Sequence, residues 1–261
     1  MIKKIVAIGG GENGRLLEDG TATLYETEMI DREIVRLAEK ENPNYLFINH
    51  AMCFSDEIQE SYYEVMKKIY GDEFGCNCKR LSSKDLLNYE LVNELVEWAD
   101  IIYEGGGDTE SMINIWKDTG FDKVLYDAWN KGKVICGISA GAVCWFNECN
   151  SDSACDNENK FETVPCLKWF DLFVTPHCDE EGRYASTKEQ LLKNGQIGIL
   201  MSNRSAIEIV GDKFKIILNA IDDKTNPYVL KAYWNNGKYH EKKLINENEF
   251  QPIVDLLSVD D

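Results

Sequence analysis

The chain has 261 residues, enough for one large α/β domain or two small ones, with 44% hydrophobic and 28% charged residues in ordinary globular proportion. A formal charge of −18 without a basic stripe argues against nucleic acid as a partner. The opening MIKKIVAIGGG holds too few apolar residues for a signal peptide, and no run approaches the roughly 18 apolar residues of a membrane span. The nine cysteines are therefore read as reduced thiols of a cytoplasmic protein.

Ile5–Ile8 reads as a buried strand running into GGGENG, a G-x-G-x-x-G match through Gly9, Gly11 and Gly14. A dinucleotide fingerprint also needs a helix start facing the pyrophosphate, and the following RLLEDGTATLYETEMID is broken by Gly20. These glycines are expected to line a loop at the carboxyl edge of a sheet instead. Asp31–Asn42, Ile58–Tyr70, Lys84–Trp98 and Phe121–Asn130 carry apolar residues at helical spacing, with Ser83 as a cap for the third. Between and after them, Tyr45–Asn49, Asp100–Tyr103, Val134–Ile138 and Leu172–Thr175 read as buried strands. This alternation predicts a single α/β domain, three-layer α/β/α, with a mostly parallel sheet covered on both faces.

Cys76-Asn77-Cys78 lacks a second pair at zinc-ligand spacing, so no metal is expected. After Gly195, Ile197–Met201, Ala206–Val210, Phe214–Leu218 and Tyr228–Trp234 predict a C-terminal antiparallel extension. Gly211-Asp212 and Asn235-Asn236-Gly237 supply its turns, and a final helix is expected near Glu247–Leu257.

Gly137-Ile138-Ser139-Ala140-Gly141 fits G-x-S-x-G directly after a buried strand. A strand-to-helix turn this tight admits only small flanking residues and lifts the serine oxygen into the open. The N–H of Ala140 would then point at a developing oxyanion. A serine needs a base, and there are three histidines. His240 lies in the polar NGKYHEKK and is expected to be exposed. His50 ends a strand and either faces the site or caps that strand. His177, in DLFVTPHCDEEGR, follows a buried strand and should emerge on the same rim as Ser139. In IIYEGGGDTE a strand runs into Gly105-Gly106-Gly107 with Asp108 at a helix start, a turn that can present further N–H donors to an oxyanion.

EGGGDT, GISAGA and TPHCDEEGR, in this order and spacing, resemble the peptidase E family of serine peptidases, with cyanophycinase a more distant relative. The resemblance implies the class I glutamine amidotransferase-like fold, Ser139 as nucleophile, His177 as base, and Gly106, Gly107 and Ala140 around the oxyanion. It implies cleavage of small peptides after an N-terminal aspartate, with no metal or organic cofactor. It also implies a basic residue for the acidic group; Arg183 is the nearest choice, unless it is spent in a surface ion pair. The family places a carboxylate between serine and histidine. Here NECNSDSACDNENKFE offers Glu148, Asp152, Asp156, Glu158 and Glu162, and Asp152 is chosen as a short acid between small residues.

Two other readings stay open on sequence. One is a same-fold amidase or esterase on acidic substrates with β-aspartyl or cyanophycin-like bonds; the other is a non-catalytic protein that binds a small acidic metabolite. A glutamine amidotransferase would need a thiolate at the elbow, and Cys136 lies three residues earlier, inside the strand. Oligomeric state, a homodimer included, is left undetermined.

Overall fold

A computed structural model describes residues 1–15, 19–52, 55–153, 160–221, 226–245 and 249–259. Its strands are β1 (Lys4–Ile8), β2 (Asn44–Phe47), β3 (Asn77–Arg80), β4 (Ile101–Glu104), β5 (Val134–Ile138), β6 (Phe146–Ser151) and β7 (Glu162–Pro165). They continue with β8 (Phe170–Thr175), β9 (Gly198–Met201), β10 (Ser205–Val210), β11 (Lys213–Leu218), β12 (Val229–Asn235), β13 (Lys238–Leu244) and β14 (Gln251–Pro252). The α-helices are α1 (Glu28–Leu37), α2 (Asp56–Lys67), α3 (Tyr89–Trp98), α4 (Thr109–Thr119), α5 (Phe121–Asn130), α6 (Ala140–Val143), α7 (Arg183–Asn194) and α8 (Val254–Leu257).

The strands form two sheets. The larger runs β14-β11-β10-β1-β5-β4-β2-β3, parallel from β1 through β3 and antiparallel beyond β1 on the other side. Its parallel strands read as unbroken apolar runs because alternate residues are buried on opposite faces. Ile5 and Ala7, Leu46, Ile102 and Ile135 join one core, shared with α3, α4 and α5. Val6 and Ile8, Tyr45 and Phe47, Ile101 and Tyr103, and Cys136 join the other, under α1 and α2. On that second side Asp31 of α1 is fully buried and accepts hydrogen bonds from the hydroxyls of Tyr25, Thr27 and Tyr70.

The second sheet, β13-β12-β9-β8-β6-β7, is where the structure departs from the predicted layout. Leu172–Thr175 was expected in the main sheet; instead β8 pairs in parallel with β6 and β9. One face of this sheet, with Leu172, Val174, Ile199 and Met201, packs into the first core, while Phe173, Leu200 and Ala232 form a separate cluster with Leu191 of α7. A strand buried on both faces looks the same in sequence whichever sheet it joins. The antiparallel extension is divided in the same way: β10 and β11 join the larger sheet, and β12 and β13 the smaller. Asn236 and Gly237, both at positive φ, close the β12–β13 hairpin as a two-residue turn.

Three local expectations change. The helix predicted over 84–98 begins only at Tyr89, because Asn88 accepts the N–H of Leu91 and caps it there; Ser83 bonds Gln59 instead. The helix Ile58–Tyr70 starts two residues earlier, capped by Ser55, and passes into a π-helical turn at Lys68–Glu73. In the C-terminal segment only the short α8 is helical among the described residues. No helix among those residues is long and apolar enough to cross a membrane.

Candidate active site

β5 is buried throughout and delivers Ser139 at the carboxyl edge of the sheet. The serine has φ +56° and ψ −113°, a conformation a non-glycine residue rarely adopts, before α6 begins at Ala140. The flanking glycines have a steric cause. A Cβ on Gly137 or on Gly141 would run into the main-chain oxygen of Glu104. The bend is further fixed by the Ser139 N–H on the Ile8 carbonyl at 3.0 Å and the Gly141 N–H on Gly105 at 3.1 Å.

His177 arrives from the carboxyl end of β8, so the two side chains come from different sheets rather than from one rim of a single sheet. Its Nε2 lies 3.0 Å from Ser139 Oγ. On the other side of the ring, Nδ1 lies 2.7 Å from Asn203 Oδ1 and 3.3 Å from Glu180 Oε1. The contact with His177 holds the Glu180 carboxyl down to about 2, aided by Arg183, against the opposing cost of burial.

The glycine run after β1 belongs to this site. The Gly9 carbonyl accepts the N–H of His177 at 2.9 Å, and the Gly10 carbonyl accepts that of Arg204 at 2.8 Å. A Cβ on Gly10 would occupy the space of the His177 ring and of Asn203 Oδ1. The run is bare so that the imidazole can lie against the main chain.

Gly106 faces Ser139: a Cβ there would stand 3.4 Å from Ser139 Cβ. Its N–H also approaches the phenol oxygen of Tyr62, a contact opposing the upward push of burial on that phenol. A Cβ on Gly107, at φ +144°, would run into the Ala51 carbonyl, and Asp108 caps α4 by accepting the Ser111 N–H. The Ala140 N–H, first of α6, makes no hydrogen bond among the described residues. Ser139, His177, Gly106 and Gly107 all line one cleft of about 530 Å³.

Two sequence expectations are corrected here. The Asp152 carboxylate does not meet His177: it lies 3.2 Å from Arg183 Nη2. Arg183 does not line the cleft. It is almost wholly buried, paired with Asp152 and Glu180, with its guanidinium over the Phe161 ring. Arg183 pairs with Glu180, the neighbour of the histidine ring, and Asp152 in turn holds Arg183. Of the other acids considered, Glu148 accepts from Asn194 and Gln196, away from the ring, and Asp156 and Glu158 lie outside the described residues. Glu162 is an exposed residue at the start of β7.

His50 is structural. It is buried, its Nε2 bonds the Leu81 carbonyl at 2.9 Å, and its Nδ1 accepts the Trp116 indole N–H at 2.9 Å. Burial pushes it down to about 3, so it stays neutral. Beside it, buried Glu104 accepts the N–H groups of His50 and Ala51, which fixes the turn under Gly107. His240 is half-buried and stacked on Tyr233, not exposed as expected. Cys136 is buried in β5, where desolvation pushes its thiol up. Among the described residues no cluster of three or more His, Cys, Asp or Glu is placed to hold a metal ion.

Sequence reasoning missed Asn203, Glu180 and the role of Gly10. Glu180 lay in the quoted TPHCDEEGR, three residues after the histidine. Asn203 sits between β9 and β10 in MSNRS, where only its place at a strand end marks it.

The model of peptidase family S51 matches residues 20–217. The uncharacterized peptidase YgaJ of Bacillus subtilis (strain 168) is 29% identical over 214 residues, 81% of this chain and 85% of that one. Among solved structures, a peptidase from an acI-B1 Actinobacterium superposes with TM-score 0.72 at 20% identity, covering 97% of each chain. A Listeria monocytogenes EGD-e protein assigned as peptidase E gives 0.60 at 19% identity, covering 84% of this chain and all of that one. Both share the fold.

Proposed function

The chain belongs to peptidase family S51, and from that membership we propose that it hydrolyses small peptides through an acyl-enzyme on Ser139. The observation that carries the reading is the 3.0 Å contact between Ser139 Oγ and His177 Nε2 at a strained bend open to a cleft. With the Asn203 carbonyl oxygen and Glu180 both on Nδ1, that nitrogen carries the ring proton and Nε2 presents its lone pair to the serine hydroxyl. His177 takes the proton as Ser139 attacks the scissile carbonyl, then passes it to the departing amine. Water, deprotonated by the same nitrogen, releases the acyl group. We assign the oxyanion to the N–H of Ala140, directly after the serine, and to that of Gly106, which faces Ser139 and would leave the Tyr62 phenol to serve it. Asn203 and Glu180 take the orienting role once expected of Asp152; only Glu180 brings a charge. As imidazolium forms, its carboxylate offsets the positive ring.

A fluorophosphonate probe and a dipeptide panel test this reading. The wild-type protein should be labelled once, at Ser139, and turn over at least one peptide, while Ser139→Ala does neither. Turnover that survives Ser139→Ala would falsify the assignment.

A further inference from the structure

We infer that the cleft beside Ser139 selects an uncharged, apolar N-terminal side chain of the leucine or methionine kind over an acidic one. This deepens the peptidase reading and rests on it. Met52, Ile58, Tyr62, Val65 and Ile138 supply an apolar lining that shares the cleft with Ser139. Ile58 keeps 53% of its surface exposed, so an apolar ligand seated there removes hydrocarbon from water.

Among the described residues that line it, the cleft holds no cation free for a carboxylate. Arg15 is the one lysine or arginine among the described lining residues. Its guanidinium is taken up by Glu12 through two hydrogen bonds, 3.0 Å from Nε and 3.1 Å from Nη2. An incoming aspartate would have to displace Glu12 from that fork and then sit beside the freed like charge. The other arginines behind the site are also engaged: Arg204 with Glu26, and Arg183 with Asp152 and Glu180. The net charge of −18 further opposes the approach of an anion.

Binding separates this from the chemistry. Calorimetry on Ser139→Ala should show Leu-Ala and Met-Ala bound at least about tenfold more tightly than Asp-Ala. Glu12→Gln in the same background frees Arg15 and should narrow or reverse that ratio. Tighter binding of Asp-Ala, no binding of any of the three, or a ratio that Glu12→Gln leaves unmoved overturns the inference. Fluorophosphonate labelling of the wild-type protein reports on the nucleophile separately. Labelling without the leucine preference sinks only the specificity, and the preference without labelling sinks only the acyl-enzyme.

Discussion

Asn203 holds His177 at the ring nitrogen facing away from Ser139, with Oδ1 2.7 Å from Nδ1. The partners are anchored separately, since the Asn203 N–H donates to the Asp179 carboxylate at 2.7 Å and the His177 N–H donates to the Gly9 carbonyl. A neutral amide acceptor thus sits nearest the imidazole, with the charge of Glu180 slightly farther away. On the proposed mechanism, orientation and charge compensation would fall to two different side chains.

Removing the amide should uncouple those roles. Asn203→Ala is expected to lower kcat by about 10²- to 10⁴-fold with little change in KM, as the ring loses its tautomer and aim. Asn203→Asp, which keeps an acceptor in place, should recover most of that loss. Steady-state kinetics on the best dipeptide of the panel decides it, and equal activity in all three proteins would rule out the orienting role.

Gly10→Ala places a methyl group in the space of the imidazole. The ring must shift, so activity should fall by more than 100-fold, roughly the scale of a 1 Å misplacement. Overpacking should cost about 1–3 kcal/mol of stability. Thermal unfolding alongside kinetics separates the effects; an active Gly10→Ala enzyme would show that the glycine serves something else.

Asp152→Ala should leave kcat within about threefold of wild type, because Asp152 braces Arg183 and does not touch the ring. Its carboxylate is half exposed, but Arg183 is almost wholly buried and would keep only Glu180 as an ion-pair partner among the described residues, so the stability cost should be about 1–3 kcal/mol. A loss of a thousandfold or more would show that Asp152 serves His177 after all.

Asp31 makes stability depend on pH in an unusual direction. Burial raises its carboxyl to about 6, against the pull of three hydroxyl donors. The folded protein therefore binds this proton more tightly than the unfolded chain does. Stability should rise as pH falls from about 6 toward the ordinary aspartate range, by on the order of 3 kcal/mol over that window. Glu180, held down to about 2, acts oppositely and only at lower pH: its contribution is lost as pH falls from the usual glutamate range through about 2. Urea midpoints at pH 7 and pH 4.5, for wild type and Asp31→Asn, test the first slope. The substitution should flatten it.

The sequence showed the parts of the site that impose steric demands. Ser139 is legible because its bend needs Gly137 and Gly141, and His177 because it follows a buried strand end. Asn203 carries neither signal. It is an uncharged residue between two strands that join different sheets, and no spacing rule relates it to position 177. Asp152 misled for a related reason. A short acid near the right place in the chain looks suited to an imidazole, but the nearer cation, Arg183, takes it. The parallel core was legible from its apolar runs, whereas the partition of β8 through β13 between two sheets was not, since the same alternation serves either.

The left-handed backbone at Ser139 also limits what could replace it. A second branch at Cβ is costly at φ +56°, so threonine is a poor fit for this bend. Cysteine carries the same single branch and would bring its sulfur to much the same spot. On the proposed mechanism, the same cramped turn therefore leaves one short evolutionary path open, toward thiol chemistry on an unchanged scaffold.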